Sequence, residues 1–344
     1  SRLNDVMYNI PRIVLLDEAS MVGLNMGNYL AEAVEYYGKK LVMVCDYGQA
    51  LPVKDKLIIG SALVEDPLQI RLVENHRQGE GVYLGALNAL HDGRVTDEAA
   101  ALFKGRVQRT PPDDDSWLRM YATNRKTNAY NRKRLHDHCM ATRTNTFLLE
   151  ASVEDKRAEG LRERVPLDAK RSARMLDDSR MAHGESFAVG CRIQITYNNG
   201  PVVNGDTGTL IRAVDAAGKD VTPSGNLFED DTKAHTLAIK LDRTDDEVVI
   251  TKQVQEITDA KGTVEYAVRG FPIRLGYAVT IHRAQGMTVP KAWVDIGSIT
   301  HFPKGSRHGL AYVGLSRTKT QEGLLLSKWD PEAIEVCEEL RPLL

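Results

Sequence analysis

The sequence predicts an α/β protein built on parallel sheets, with a β-rich segment inserted late in the chain. Three observations carry this. Two continuous apolar runs, "IVLL" (13–16) and "LVMVCD" (41–46), flank a stretch with helical apolar spacing, the pattern of a strand, a crossover helix and a second strand. Both runs end in acids, Asp17-Glu18 and Asp46, and ligands of parallel sheets gather beyond the carboxyl ends of the strands. Residues 186–270 then alternate apolar and polar side chains between Asn-Gly and Gly-Asp turns, the mark of hairpins.

Taken in order, "IVLL" has no polar position, so it reads as a strand covered on both faces. "GLNMGNYLAEAVEYYGKK" puts Leu30, Ala33, Val34 and Tyr37 at helical spacing and offers Gly38 as a stop. "VCDYGQALPV" (44–53) places Gln49 in a loop three residues past Asp46, and "LVENHRQ" (72–78) presents Arg77. "TNRKTNAYNRKRLHDH" (123–138) concentrates basic residues and amides. Thr123 and Asn124 lie at a strand end, where short polar side chains and backbone amides suit phosphates, while Lys133 and Arg134 read as a solvated helix face.

Residues 150–185 are dense in both charge signs and read as one or two exposed helices or a mobile arm, without chemistry of their own. Short strands follow in "CRIQITYNNG", "VVNGDTGTLIRAV", "HTLAIKLD", "EVVIT" and "YAVRGFPI"; Gly205 and Gly208 of "NGDTG" read as backbone requirements of a turn. "GYAVTIHRAQGMT" (276–288) and "YVGLSRTK" (312–319) close the series, with Arg317 at the end of an apolar, helix-like run.

Composition sets wider limits. The 344 residues suffice for two or three cored domains, and 42% apolar with 27% charged residues is the composition of a globular protein. A net charge of -2 excludes a uniformly basic binder but permits a local basic groove. Cys45, Cys139, Cys191 and Cys337 are widely spaced, which argues against a zinc site and for a reducing compartment. No apolar run reaches about 18 residues, so no membrane span is expected. Ser1 opens the chain without a methionine or a signal-peptide pattern, and the expectation is a piece of a longer protein.

Together these motifs resemble the RecD-like branch of superfamily-one DNA helicases. "DEASM" is similar to the Walker B motif of that family, "CDYGQALPV" to its G-D-x-x-Q-L-P-P-V motif, and "ENHRQ" to its arginine-bearing motif. "YATNRKTNAYN" resembles the opening of the second motor domain, and "TIHRAQGMT" and "YVGLSRTK" the motifs that close it. Cys45 stands where the family has glycine, and Ala50-Leu51 where it has Leu-Pro.

The resemblance implies RecA-like motor domains. Residues 1–115 would be the remainder of the first, 116–149 the start of the second, 150–185 a charged helical segment, 186–270 a small β-barrel insert, and 271–344 the remainder of the second motor domain with a tail. The phosphate loop G-x-x-x-x-G-K-[ST] occurs nowhere in the chain, so a missing amino-terminal motor segment is expected to supply it, and this portion alone is expected to be inactive.

The roles implied by the resemblance follow phosphoryl-transfer chemistry, in which positioning and electrostatics dominate. ATP and Mg2+ are the expected cofactors. Asp17 would hold the metal, and Glu18 would orient and deprotonate the attacking water. Gln49 would sense the γ-phosphate, Arg77 and Arg317 would converge on it, and Gln285 and Gly286 would lie beside the nucleotide. Thr123, Asn124, Thr280 and His282 are the expected DNA contacts. Single-stranded DNA and duplex junctions are the expected partners, 5′→3′ the implied polarity, and the cytoplasm of a bacterial or phage-infected cell the expected location. Two other readings stay open: a non-hydrolysing nucleic-acid-binding module derived from a helicase, and a nucleotide switch on the same core.

Overall fold

A computed structural model describes residues 11–52, 55, 56, 58, 70–72, 74–221, 234–258, 263–338 and 340. Val53 of the glutamine loop and Val73 of the arginine segment lie outside the described residues. The chain divides into two compact units, one of Leu3–Thr127 with Ala278–Leu344, the other centred on Asn128–Tyr277.

The first unit holds two parallel sheets. Ile13–Leu16 pairs with Lys40–Met43 in parallel, Leu15 opposite Val42, with the crossover helix Leu24–Tyr36 between them. Gly38, at φ +56°, ends that helix in the left-handed conformation, and the Lys39 amide turns back to the Val34 carbonyl. The expectation of a strand covered on both faces is corrected here. Ile13 is 61% exposed, Leu15 66% and Val42 47%, so one face of this sheet carries apolar side chains in the open.

The second sheet has the order Ala278–Thr280, Leu118–Tyr121, Ala292–Val294, Leu324–Leu326, every pair parallel. Here the strands are covered on both faces: all four residues of Leu118–Tyr121 are buried. The helices Val82–His91, Asp97–Lys104 and Leu310–Leu315 add Leu87, Phe103 and Val313 to a core shared with Met120, Val294 and Leu326. Phe103 is fully buried and stacks on Trp329 with ring centroids 5.3 Å apart. Thr96 starts the Asp97–Lys104 helix by accepting the Ala99 amide at 3.1 Å, with Asp97 and Glu98 in the first turn where the helix dipole favours acids.

The second unit is mostly antiparallel. Five strands run in the order Glu247–Thr251, Thr236–Leu241, Thr207–Val214, Arg192–Ile195, Ile273–Leu275. The alternation in "TGTLIRAV" buries Gly208, Leu210 and Ala213 on one face. Gly205 takes φ +97°, and a Cβ on Gly208 would stand 2.4 Å from the Lys240 carbonyl oxygen, so both glycines serve the backbone as the sequence indicates. Asp206, between them, accepts two hydrogen bonds from Arg243 and one from the Val203 amide. The two outer strands are not hydrogen-bonded to each other, so among the described residues this is an open sheet and not a closed barrel.

A further sheet joins Gln253–Thr258, Val264–Gly270 and Ser152–Asp155. The charged segment 150–185 is therefore more than helix. It contributes that strand along with the helices Glu159–Arg164 and Ala169–Asp178. Asp168 starts the latter by accepting the Arg171 amide.

Candidate nucleotide-binding site

The strand Ile13–Leu16 delivers Asp17 and Glu18 to its carboxyl end, and both sit where a parallel sheet presents ligands. Asp17 is exposed, and its Oδ1 accepts the Glu18 amide at 2.9 Å. Glu18 adopts φ 51°, ψ 38°, a left-handed conformation that costs a non-glycine residue on the order of 1–2 kcal/mol. Such strain gathers where a side chain must point in one direction. Glu18 Oε2 accepts from Gln285 Nε2 at 2.7 Å, which links the first strand end to the turn after Ile281–Ala284. Gly286 makes that turn at φ +78°, and its Cα faces Glu18 Oε1 closely enough that a Cβ would lie 3.6 Å from it.

Arg77 and Arg317 converge on this region. Arg77 donates through Nε to the Thr288 hydroxyl at 3.0 Å and through Nη1 to the Ser316 carbonyl at 3.4 Å. Arg317 is 1% exposed; its Nε donates to the Val313 carbonyl at 2.8 Å and its Nη2 to the Ser316 hydroxyl at 2.6 Å. The partners named for both guanidinium groups are uncharged oxygens, and no ion pair joins either to a carboxylate among the described residues. Glu74 and Glu80, which flank Arg77 in sequence, do not neutralise it. Burial, and then the neighbouring charge of Arg77, push the Arg317 guanidinium down to about 10; Tyr312, Glu18 and Asp46 pull the other way. Two neighbouring guanidinium groups with no carboxylate in ion-pair contact among the described residues can receive a further anion.

The loop after Lys40–Met43 supplies the remaining groups. Asp46 accepts from the Gly48 amide at 2.9 Å, from Gln49 Nε2 at 2.8 Å and from His91 Nε2 at 2.7 Å. Gln49 Oε1 and Gln285 Oε1 are buried acceptors without a donor, a costly state for a polar atom unless a ligand or water completes it.

All seven nucleotide-site residues expected from sequence (Asp17, Glu18, Gln49, Arg77, Gln285, Gly286 and Arg317) fall in the first unit; Glu18 is bonded to Gln285, Arg77 and Arg317 meet at Ser316, and Gln49 is held by Asp46. Arg317 lies near Arg77, and both guanidinium groups reach Ser316. Sequence reasoning missed the residues that hold it there. Gln78, buried, donates to the carbonyls of Ser316 at 2.9 Å and Thr318 at 2.8 Å, and the Tyr83 hydroxyl donates to the Leu315 carbonyl at 2.6 Å. Gln78 directly follows Arg77, which was the one available signal.

The expected DNA contacts gather at the carboxyl edge of the second parallel sheet, where Thr280 pairs with Tyr121 two residues before Thr123. Asn124 is exposed. The Thr123 hydroxyl accepts the Lys126 amide at 3.4 Å, and Lys126 is in turn paired with Asp295 at 2.9 Å. Thr280 needs correction as a direct contact. It is buried, and its hydroxyl accepts the Arg283 amide, so it holds the short helix that carries His282. Burial pushes the His282 imidazole below its ordinary value, so it would meet a phosphate as a neutral donor.

A family profile described as "AAA domain" matches residues 5–111. An ATP-dependent DNA helicase Pif1 of Bdellovibrio bacteriovorus is 26% identical over 343 residues, covering 94% of this chain and 67% of the relative. The ATP-dependent DNA helicase PIF1 of Emericella nidulans is 22% identical, covering 94% of this chain and 48% of the relative. The crystal structure of Pif1 helicase from Candida albicans superposes with a TM-score of 0.76 at 21% identity, over 99% of this chain and 79% of that one. A Bacteroides Pif1 helicase in complex with ADP-AlF3 and ssDNA gives 0.64 at 18% identity, over 97% and 74%. The chain thus shares the mixed α/β fold of the Pif1 helicase structures and is similar in sequence to proteins named ATP-dependent DNA helicase Pif1, and it spans about half to two thirds of these two curated relatives.

Proposed function

We propose that this chain is the motor portion of an ATP-dependent DNA helicase that acts on single-stranded DNA. The observation that carries the reading is the Arg77–Arg317 pair, without a carboxylate partner among the described residues, beside Glu18, Gln285 and Gln49. A triphosphate supplies the missing anion. In a loose transition state charge is spread over its γ-oxygens, where two fixed guanidinium groups hold it without reorganising. Glu18, fixed in its strained backbone, orients the attacking water and accepts its proton; the unpartnered Gln49 Oε1 is an acceptor for the water's other hydrogen.

Asp17 is the residue that would hold Mg2+, an ion commonly bound through one or two carboxylates with substrate phosphates and water. The chemistry the ion would supply there is neutralisation of phosphate charge. The phosphate loop is proposed to come from outside these 344 residues. The exposed apolar face of Ile13, Leu15 and Val42 is a surface on which an additional layer of such a motor domain would pack. The finer assignment to the 5′→3′ RecD-like branch rests on the motifs and on the Pif1 relatives. Thr123, Asn124 and His282 are the proposed backbone contacts to the strand, with Thr280 in support.

The test is Glu18→Gln in the full-length protein. DNA-stimulated ATP turnover should fall by about 10²-fold or more while single-strand binding persists. Wild-type turnover in the variant would refute the assignment. Strand separation on duplexes with 5′ or 3′ tails tests the polarity in the same preparation.

A further inference from the structure

We infer that His91, which no motif singles out, is the positioning residue that sets the amide of Gln49 for hydrolysis, an inference that rests on the ATPase reading above. His91 ends the helix Val82–His91 and its ring lies between two carboxylates. Nε2 meets Asp46 Oδ1 at 2.7 Å and Nδ1 meets Asp92 Oδ1 at 3.1 Å, and Asp92 is tied in turn to Arg94 at 2.9 Å. Carboxylates only accept, so both ring nitrogens donate and the ring is an imidazolium. Its charge state follows the same logic: burial alone would lower its pKa, but Asp46 and Asp92 outweigh burial and raise it.

The consequence passes through Asp46. Its Oδ1 is occupied by His91 and the Gly48 amide, so the carboxylate cannot rotate, and Oδ2 remains for Gln49 Nε2. Only the NH2 side of the Gln49 amide can face a carboxylate, since the flipped amide would set oxygen against oxygen. Gln49 Oε1 is therefore fixed as the free acceptor. Gly48 makes the arrangement possible, because a Cβ there would stand 2.2 Å from His91 Cδ2.

Segments near Arg317 lock the same loop from the other side. His308 Nε2 donates to the Tyr47 carbonyl at 2.6 Å, while its Nδ1 accepts the Cys337 amide at 2.6 Å, so this second histidine is neutral. Tyr312 sets its ring edge to His91 with centroids 5.1 Å apart, on the helix that precedes Arg317. The titratable groups that face His91 are thus Asp46 from the loop, Asp92 with its partner Arg94 from the following turn, and His308 and Tyr312 from the facing segments.

The experiment is a double-mutant cycle in the full-length protein, reading kcat and KM of DNA-stimulated ATP hydrolysis and the melting temperature. His91→Ala should lower kcat about tenfold with KM changed less than about twofold. His91→Gln keeps one donor toward Asp46 and should recover most of that loss. In a Gln49→Ala background, His91→Ala should have no further effect on kcat, because the group it positions is gone. Should His91→Ala fail to fold, His91→Leu against His91→Gln carries the same comparison. Losses that multiply in the double variant, or a lowered melting temperature with kcat unchanged, would overturn the proposal. A Gln49→Ala variant with wild-type kcat would overturn the site reading beneath it, a different outcome from failure of His91 alone.

Discussion

Arg317→Met separates the activity of this site from its stability. The guanidinium is 1% exposed, and its pKa is pushed down to about 10, chiefly by burial and next by Arg77. Below that value and its ordinary one the group is charged folded and unfolded, so the difference is a cost of the folded state, on the order of 3 kcal/mol. Against it stand the hydrogen bonds to the Val313 carbonyl and the Ser316 hydroxyl, worth about 1.5–3 kcal/mol each when the donor is charged. Methionine fills similar volume, relieves the charge and gives up those bonds, so the terms nearly cancel. The melting temperature should move by no more than about 4 °C, roughly the effect of 1–2 kcal/mol in a domain of this size. Turnover should fall by about 10³-fold or more, the scale of an arginine acting on a transferring phosphoryl group. Differential scanning fluorimetry and a coupled ATPase assay on the full-length protein read the two effects. A large loss of stability with turnover preserved would show that Arg317 is a structural residue and refute the reasoning.

Two further predictions concern the glutamine loop. Gly309 has φ +66°, and a Cβ there would stand 2.3 Å from the Gln49 carbonyl carbon, so Gly309→Ala should displace the loop and lower kcat roughly tenfold or more; unchanged kcat would show that the loop tolerates the shift. The Asp46–His91 pair should make stability depend on pH in a defined window. For Asp46, burial alone would raise its pKa, but His91, Gln49 and Gly48 lower it on balance. Its contribution is present above 3.8 and lost as pH falls through the depressed value. The His91 contribution is complete below 6.5 and is lost as pH rises through its raised value. The stability gap between wild type and His91→Gln, from urea unfolding, should be widest near pH 5 and shrink above neutrality. A gap that grows with pH contradicts the ion pair.

Much of this was legible in the sequence where the signal is local. The run "IVLL" is the strand Ile13–Leu16, and the apolar spacing after it is the helix Leu24–Tyr36 with Gly38 at its end. Asp17, Glu18, Gln49, Arg77 and Arg317 stand out at strand ends, in turns or after an apolar run, and it is the resemblance that implies their roles. What stayed hidden depends on distant partners. Ser152–Asp155 is a polar tetrapeptide that becomes a strand only by pairing with Val264–Gly270, more than a hundred residues on. Tyr83 and His91 act on Leu315 and Asp46 across the fold, and nothing in their own neighbourhoods announces it; Gln78, which acts on Ser316, is marked only by the preceding Arg77. The exposure of Ile13 and Leu15 was invisible for the same reason. An apolar run reports that a face wants covering, not which segment covers it.

The most direct measurement is a structure of the full-length protein bound to magnesium, ADP and a fluoroaluminate that mimics the transferring phosphoryl group. The account predicts the fluoroaluminate between the Arg77 and Arg317 guanidinium groups, with a water held by Glu18 and Gln49 on its open side. A nucleotide bound elsewhere, or one whose terminal group leaves those two arginines on their present backbone and hydroxyl partners alone, would contradict it.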